Sequence, residues 1–227
     1  MMPPYQPDRF PFSTDWLLYE DAHLIVANKP SGLLSVPGRT PENKICLISR
    51  LESYCSHPLH VVHRLDMDTS GIMVVAKHKE ALRHLNQQFQ NRQTYKCYQA
   101  ICAGILEKNT GHIHLPMRCD WENRPRQIVD CLHGKHTHTE WHKVQQFSDT
   151  FLVDLIPHTG RSHQLRVHMQ MLGHPILGDN LYADPSSQTR SSRLLLHASA
   201  LHFTHPITHS EMQIHTPFAF HNLDYKS

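Results

Sequence analysis

The sequence predicts an α+β fold: a mixed, largely antiparallel central sheet with flanking helices. Two observations predict it. Apolar runs of strand length outnumber the stretches with helical spacing, and most of them come in pairs joined by short polar turns, as hairpins do. A chain of that kind segregates its helices to the outside of an antiparallel sheet. No repeat period and no flexible linker divides the 227 residues, so one continuous domain over residues 16–227 is expected, preceded by an irregular arm at 1–15.

The elements follow in order. The opening MMPPYQPDRFPFS carries four prolines, which suits an irregular arm and neither a signal peptide nor a membrane anchor. Trp16–Tyr19 reads as a strand, Glu20-Asp21 as a turn, and HLIVANKP as the returning strand. SGLLSVPG, residues 31–38, is a loop punctuated by Pro and Gly. Asn43 is expected to cap a short helix with Ile45, Ile48, Leu51 and Cys55 on one side. HVVHRLDMDTSG is a short apolar run entering a polar loop, and IMVVA after it is a buried strand. Residues 79–92 have helical spacing, with Leu82, Leu85 and Phe89 on one face. TYKCYQAICAG alternates, placing Lys96 and Tyr98 on one strand face and Cys97 and Gln99 on the other. Further strands are expected near 127–132, 137–147 and 151–156. GRSHQLRVHMQML is a helix with Ser162 as N-cap and Gly173 just past its end. LLLHASALHFTHP and MQIHTP close the chain with more strand.

Composition narrows the function. Net charge is only +2, so the chain is no general nucleic-acid coat, and an RNA partner must be held by shape, a pocket and a local patch. No apolar run reaches the ~20 residues a membrane helix needs. The six cysteines form no C-x-x-C pair, which argues for reduced, packed thiols and against a zinc knuckle. Cytoplasm is the expected compartment, and a monomer the expected state. The 22 histidines are the oddity. The densest run, HGKHTHTEWH, alternates as an exposed strand does, and a metal site there would want supporting carboxylates of which only Glu140 is near in sequence. No metal is expected.

Two stretches carry chemistry. HRLDMDTSG, residues 63–71, presents an arginine, two carboxylates and two hydroxyls in a loop between apolar runs; the same residues could serve only as a turn whose aspartates bond backbone amides. PHTGRSHQLRVHM sets Arg161 and Arg166 at a helix start, a natural place to hold an anion. An aspartyl-phosphate phosphatase reading of DMDTS is disfavoured, because Arg64 precedes it and Ser70 stands where Thr or Val is wanted. A non-catalytic RNA-binding module is the other alternative. MRCDWENRPRQ, with Arg118, Arg124 and Arg126 around Trp121, would be its patch, or else a surface loop over a buried tryptophan.

Taken together, NKPSGLLSVPG, HRLDMDTSG, the Lys96/Tyr98 strand, PHTGRSHQLRVHM…GHPILGD…Y and LLLHA resemble, in order, the motif series of the RluA-type pseudouridine synthases. The resemblance runs from about residue 16 to 217. It implies an isomerase that turns uridine into pseudouridine without metal or cofactor, acting on RNA (23S rRNA and tRNA, as in the short members) and lacking an S4-like domain. It implies that Asp66 is the catalytic aspartate, Tyr98 the ring that packs on uracil, and Arg166 the arginine pairing with the aspartate, with Leu165 beside it. Arg64 would fill the stack left by a flipped base, and His63, Lys96 and Arg161 would contact RNA. A carboxylate can attack carbon 6 of the ring, attack the sugar, or remove a sugar proton. The sequence does not choose among the three. Each needs Asp66 ionised, which a nearby cation such as Arg166 favours, and a base that has left its stack.

Overall fold

A computed structural model of the chain describes residues 5–216. The first four residues of the expected arm and the last eleven of the chain lie outside the described residues. Along the chain the elements are β1 (Leu17–Glu20), β2 (Leu24–Lys29), α1 (Leu47–Cys55), β3 (His60–Val61), β4 (Ser70–Ala76), α2 (Lys79–Gln90), β5 (Tyr95–Ala103), β6 (Thr110–Cys119), β7 (Gln127–Val129), β8 (Lys135–Gln146), β9 (Thr150–Pro157), α3 (Gln164–Met171), α4 (Pro185–Thr189), β10 (Leu196–Thr204) and β11 (Glu211–His215). Two compact units result: the chain up to Tyr95 with Ala198–Thr216, and Lys96–His197.

In the first unit the strand order is β1-β2-β4-β10, with β3 also pairing β4 and β11 pairing β10. The expected hairpin is there. Asp21 shapes its turn by accepting the amides of His23 (2.7 Å) and Leu24 (2.9 Å), as short acidic side chains do in turns. Every residue of β4 is buried, as its unbroken apolar run demands. One face of this sheet packs with α1 and the loop after β2 around Ile25, Ala27, Leu33, Met73 and Val75. The other packs with α2 around Leu24, Val26, Ile72, Val74 and Leu85. The arm is irregular yet held: Tyr5, Phe10 and Phe12 lie on the first cluster, and the Tyr5 hydroxyl donates to Ile45 O (2.8 Å) while accepting from Leu34 N (3.2 Å).

The second unit has the order β5-β9-β8-β6-β7, and its pairings are antiparallel. Its core gathers Ile101, Trp141, Phe151, Val153, Leu155, Met169 and Ile176.

Three local expectations are corrected. Asn43 caps no helix; it ends a 3-10 turn, and α1 begins four residues later behind Cys46, whose sulfur and Ser49 form a capping box. Ser162 does not cap α3. His163 takes that position in a left-handed conformation with no side-chain cap, while the Gln164 side chain accepts from Arg161 N (3.1 Å) and Thr159 Oγ1 (2.7 Å). A ten-residue strand, β6, lies where no strand was expected. Pro116 masks it, since proline cannot donate to a sheet; Ile113, Leu115 and Met117 are its apolar alternation. The other end of α3 follows expectation. Gly173 has φ +88 and donates to Gln170 O, and His174 donates to Met169 O, the paired bonds of a glycine-terminated helix.

Candidate active site

The loop between β3 and β4 is the centre of the candidate site in the first unit. Its backbone is held by the loop that follows β2. The Lys29 ammonium, wholly buried, donates to Met67 O (2.9 Å), Leu33 O (2.6 Å) and Pro30 O (2.9 Å). Ser31 Oγ donates to Asp68 O (2.6 Å), and Gly32 N to Met67 O (2.9 Å). Ser35 Oγ donates to Leu65 O (2.7 Å) and accepts from Leu65 N (3.1 Å). Buried polar groups are tolerated only when satisfied in this way. So the residues of NKPSGLLS brace the loop, a coupling that sequence separation hides. Leu65 and Thr69 are buried, Asp66 and Asp68 are half-buried, and Arg64 is exposed. The loop ends on Gly71, whose φ of +111 and close approach to the Ala198 backbone exclude a β-carbon.

His63 supports the loop's entry. Its ring stacks on Phe89 at 4.6 Å, and Nε2 accepts the Val74 amide at 3.0 Å. The acceptor role places any single ring proton on Nδ1.

In the second unit, α3 carries Leu165 and Arg166, both buried. Leu165 belongs to the apolar core. Arg166 Nε and Nη2 make a two-pronged pair with Asp179 (2.8 and 2.6 Å), and Nη2 also reaches Asn180 Oδ1 (3.1 Å). A buried guanidinium is sustained only by such geometry. Asp179 further accepts the amides of Leu181 and Tyr182. The Tyr182 ring lies 5.2 Å from the guanidinium carbon, and its hydroxyl meets Gln127 N and His163 Nδ1. Asp179 was not singled out in the sequence; its signal was GHPILGD, a carboxylate thirteen residues beyond a buried arginine. Arg161 is exposed just before the helix.

Tyr98 and Lys96 sit on β5 as alternation required, with Cys97 buried between them. Tyr98 is half-buried and packs on the second unit's core. In the basic stretch Trp121 is 66% exposed with the Arg124 guanidinium 3.6 Å from its ring, and Arg118 pairs with Asp130. The tryptophan is therefore a surface platform and no buried anchor.

Residues 23–171 match the family model described as RNA pseudouridylate synthase. The chain belongs to that family, and its activity is that of an isomerase forming pseudouridine in RNA. Among curated relatives, the dual-specificity RNA pseudouridine synthase RluA of Vibrio cholerae is 48% identical over 97% of this chain and 89% of its own. That of Escherichia coli is 47% identical over 95% and 98%. Among solved structures, human RNA pseudouridylate synthase domain containing 1 superposes with a TM-score of 0.78 at 28% identity, covering 92% of this chain and 86% of its own. Human RNA pseudouridylate synthase domain containing 4 gives 0.73 at 26%, covering 92% and 90%. The phosphatase and pure-binder readings fall with this membership.

Proposed function

We propose that this chain isomerises uridines in both 23S rRNA and tRNA, with the Asp66 carboxylate as the reacting group and no metal or cofactor in the reaction. The observation that supports Asp66 is the bracing of its loop: the backbone from Leu65 to Asp68 is bonded by Lys29, Ser31, Gly32 and Ser35. Fixing a nucleophile before substrate arrives lowers the entropy still to be lost at the transition state.

In this reading Tyr98 offers its ring face to the flipped uracil, a contact worth about 1–3 kcal/mol. Arg64, exposed at the loop's start, enters the space the base leaves. Arg166 is the cation that stabilises ionised Asp66. Asp179 and Asn180 hold its Nε and Nη2 donors. Lys96 and Arg161 meet phosphates, Leu165 forms apolar wall, and His63 contributes by fixing the loop's entry. The dual substrate range follows the relatives' shared description as dual-specificity enzymes. The proposed setting is a cytoplasmic monomer working on RNA; among the described residues no helix is long and apolar enough to cross a membrane.

The test maps pseudouridine in total rRNA and tRNA from cells with and without this gene, complemented by wild type or Asp66→Asn. Sites in both RNA classes should vanish with the gene and return only with wild type. Loss confined to one class would overturn the dual range, and restoration by Asp66→Asn would overturn the role of Asp66.

A further inference from the structure

Even-numbered residues of β6 and β8 point to one face of the second unit's sheet, and on this face the chain concentrates imidazoles. The register sets His114 opposite His138 and His112 opposite Glu140, so His112 and His138 are diagonal neighbours within side-chain reach. One ligand nitrogen from each of His112, His114 and His138 lies within 4.8 Å of the other two. His112 Nδ1 and His138 Nε2 are 3.2 Å apart. Two nitrogens bound to one tetrahedral ion stand about 3.3 Å apart. The pair therefore already has ligand spacing. His112 and His114 are exposed, so the His114 ring has room to turn out of its stack on His138 and bring its nitrogen to the ion.

A carboxylate and a further imidazole stand beside the three rings. The His138 ring is stacked between His114 at 4.0 Å and His158 at 4.3 Å. His158 is held in turn by Glu140 Oε2 at 3.1 Å, and Glu140 Oε1 takes His142 Nε2 at 2.7 Å. Glu140 thus fixes the ring packed on His138 and puts a negative charge opposite His112. Three neutral nitrogen ligands suit zinc, nickel or copper and do not suit magnesium or calcium.

We propose that His112, His114 and His138 bind one divalent transition-metal ion, zinc in the first instance, which clamps β6 to β8 and takes no part in the isomerisation. Water completes the coordination. With ligands on two strands, the bound ion favours the folded state by mass action.

Tag-free full-length protein would be titrated with Zn²⁺ alone by calorimetry, and with Co²⁺ to follow its visible bands, alongside thermal melts. One equivalent should bind ahead of all others and raise the melting temperature. His112→Ala and His114→Ala, both at exposed positions, should each weaken that equivalent at least tenfold and abolish the rise. The control removes another imidazole pair, His202 and His215, whose Nε2 atoms are 3.1 Å apart on β10 and β11. His202→Ala with His215→Ala should leave the first equivalent unchanged. Binding that survives either ligand variant, or that falls equally in the control, would overturn the site.

Discussion

Asp66 and Asp68 are two residues apart on one loop, both half-buried, and isosteric substitution should separate them. Asp66→Asn keeps shape and removes the charge that the proposed chemistry needs. Turnover should fall below detection while RNA affinity stays within about tenfold, or ~1.4 kcal/mol. Asp68→Asn should keep substantial activity, because Ser31 holds that residue through its backbone carbonyl. Single-turnover assays with gel-shift affinities decide it, with mass spectrometry checking for deamidation back to aspartate. Arg166 tests differently. Asp179→Ala strips its carboxylate and leaves a buried, 2%-exposed guanidinium paired only in part. The cost expected is about 3–5 kcal/mol of folding stability, read from urea denaturation. A loss under about 1 kcal/mol would show that water reaches the guanidinium and that Asp179 is no anchor.

Between residues and the whole lie the contacts that set β8 on α3. His168 of α3 is fully buried, with Nε2 at 2.7 Å from Thr137 Oγ1 and Nδ1 at 2.9 Å from Thr139 Oγ1. Burial foremost, then the nearby His114 and His138, lower its pKa from 6.5 to about 4. The unfolded chain therefore binds the proton that the folded chain refuses. Stability from this group is full above pH 6.5 and is lost as pH falls toward 4. His168→Gln should flatten the stability profile across that window, measured by denaturant midpoints at successive pH values. The loop brace makes a second test at this scale. Gly71→Ala would press a methyl group into the Ala198 backbone at a left-handed φ, costing roughly 3 kcal/mol or more. A mutant as stable as wild type in urea would mean that β4 and the backbone at Ala198 can move apart.

For the molecule as a whole, the reaction and the proposed ion are separable. Exhaustive dialysis against EDTA should leave turnover on a tRNA stem-loop unchanged, since the proposed isomerisation by a carboxylate needs no Lewis acid. The same treatment should lower the melting temperature of zinc-loaded protein, because the ion is bound by the folded β6–β8 pair. Turnover abolished by chelation and restored by zinc would refute the cofactor-free chemistry. Substrate architecture gives a further check. Arg64→Ala should impair turnover on a folded stem-loop more than on a flexible single strand, where less stacking is lost on flipping.

Much of this was legible in the chain itself. The β1–β2 hairpin, the buried β4, the face shared by Lys96 and Tyr98, and the Gly173 helix stop follow from periodicity and turn chemistry, which are local. The motif order led to the family, and the family model confirms it. What local reasoning missed depends on partners far along the chain. Pro116 hid β6 because propensity weighs one residue, while the strand is held by pairing to β8 some twenty residues on. Asn43 and Ser162 are good capping residues, but Cys46 and His163 occupy those positions where packing placed the helix starts. Only tertiary structure showed that Lys29 and Ser35 hold the Asp66 loop, that Asp179 claims Arg166, and that histidines 112, 114 and 138 converge. Each of these brings together residues thirteen or more positions apart. Sequence pattern records which face a side chain takes, whereas the register of strands and the closure of loops decide what it meets there.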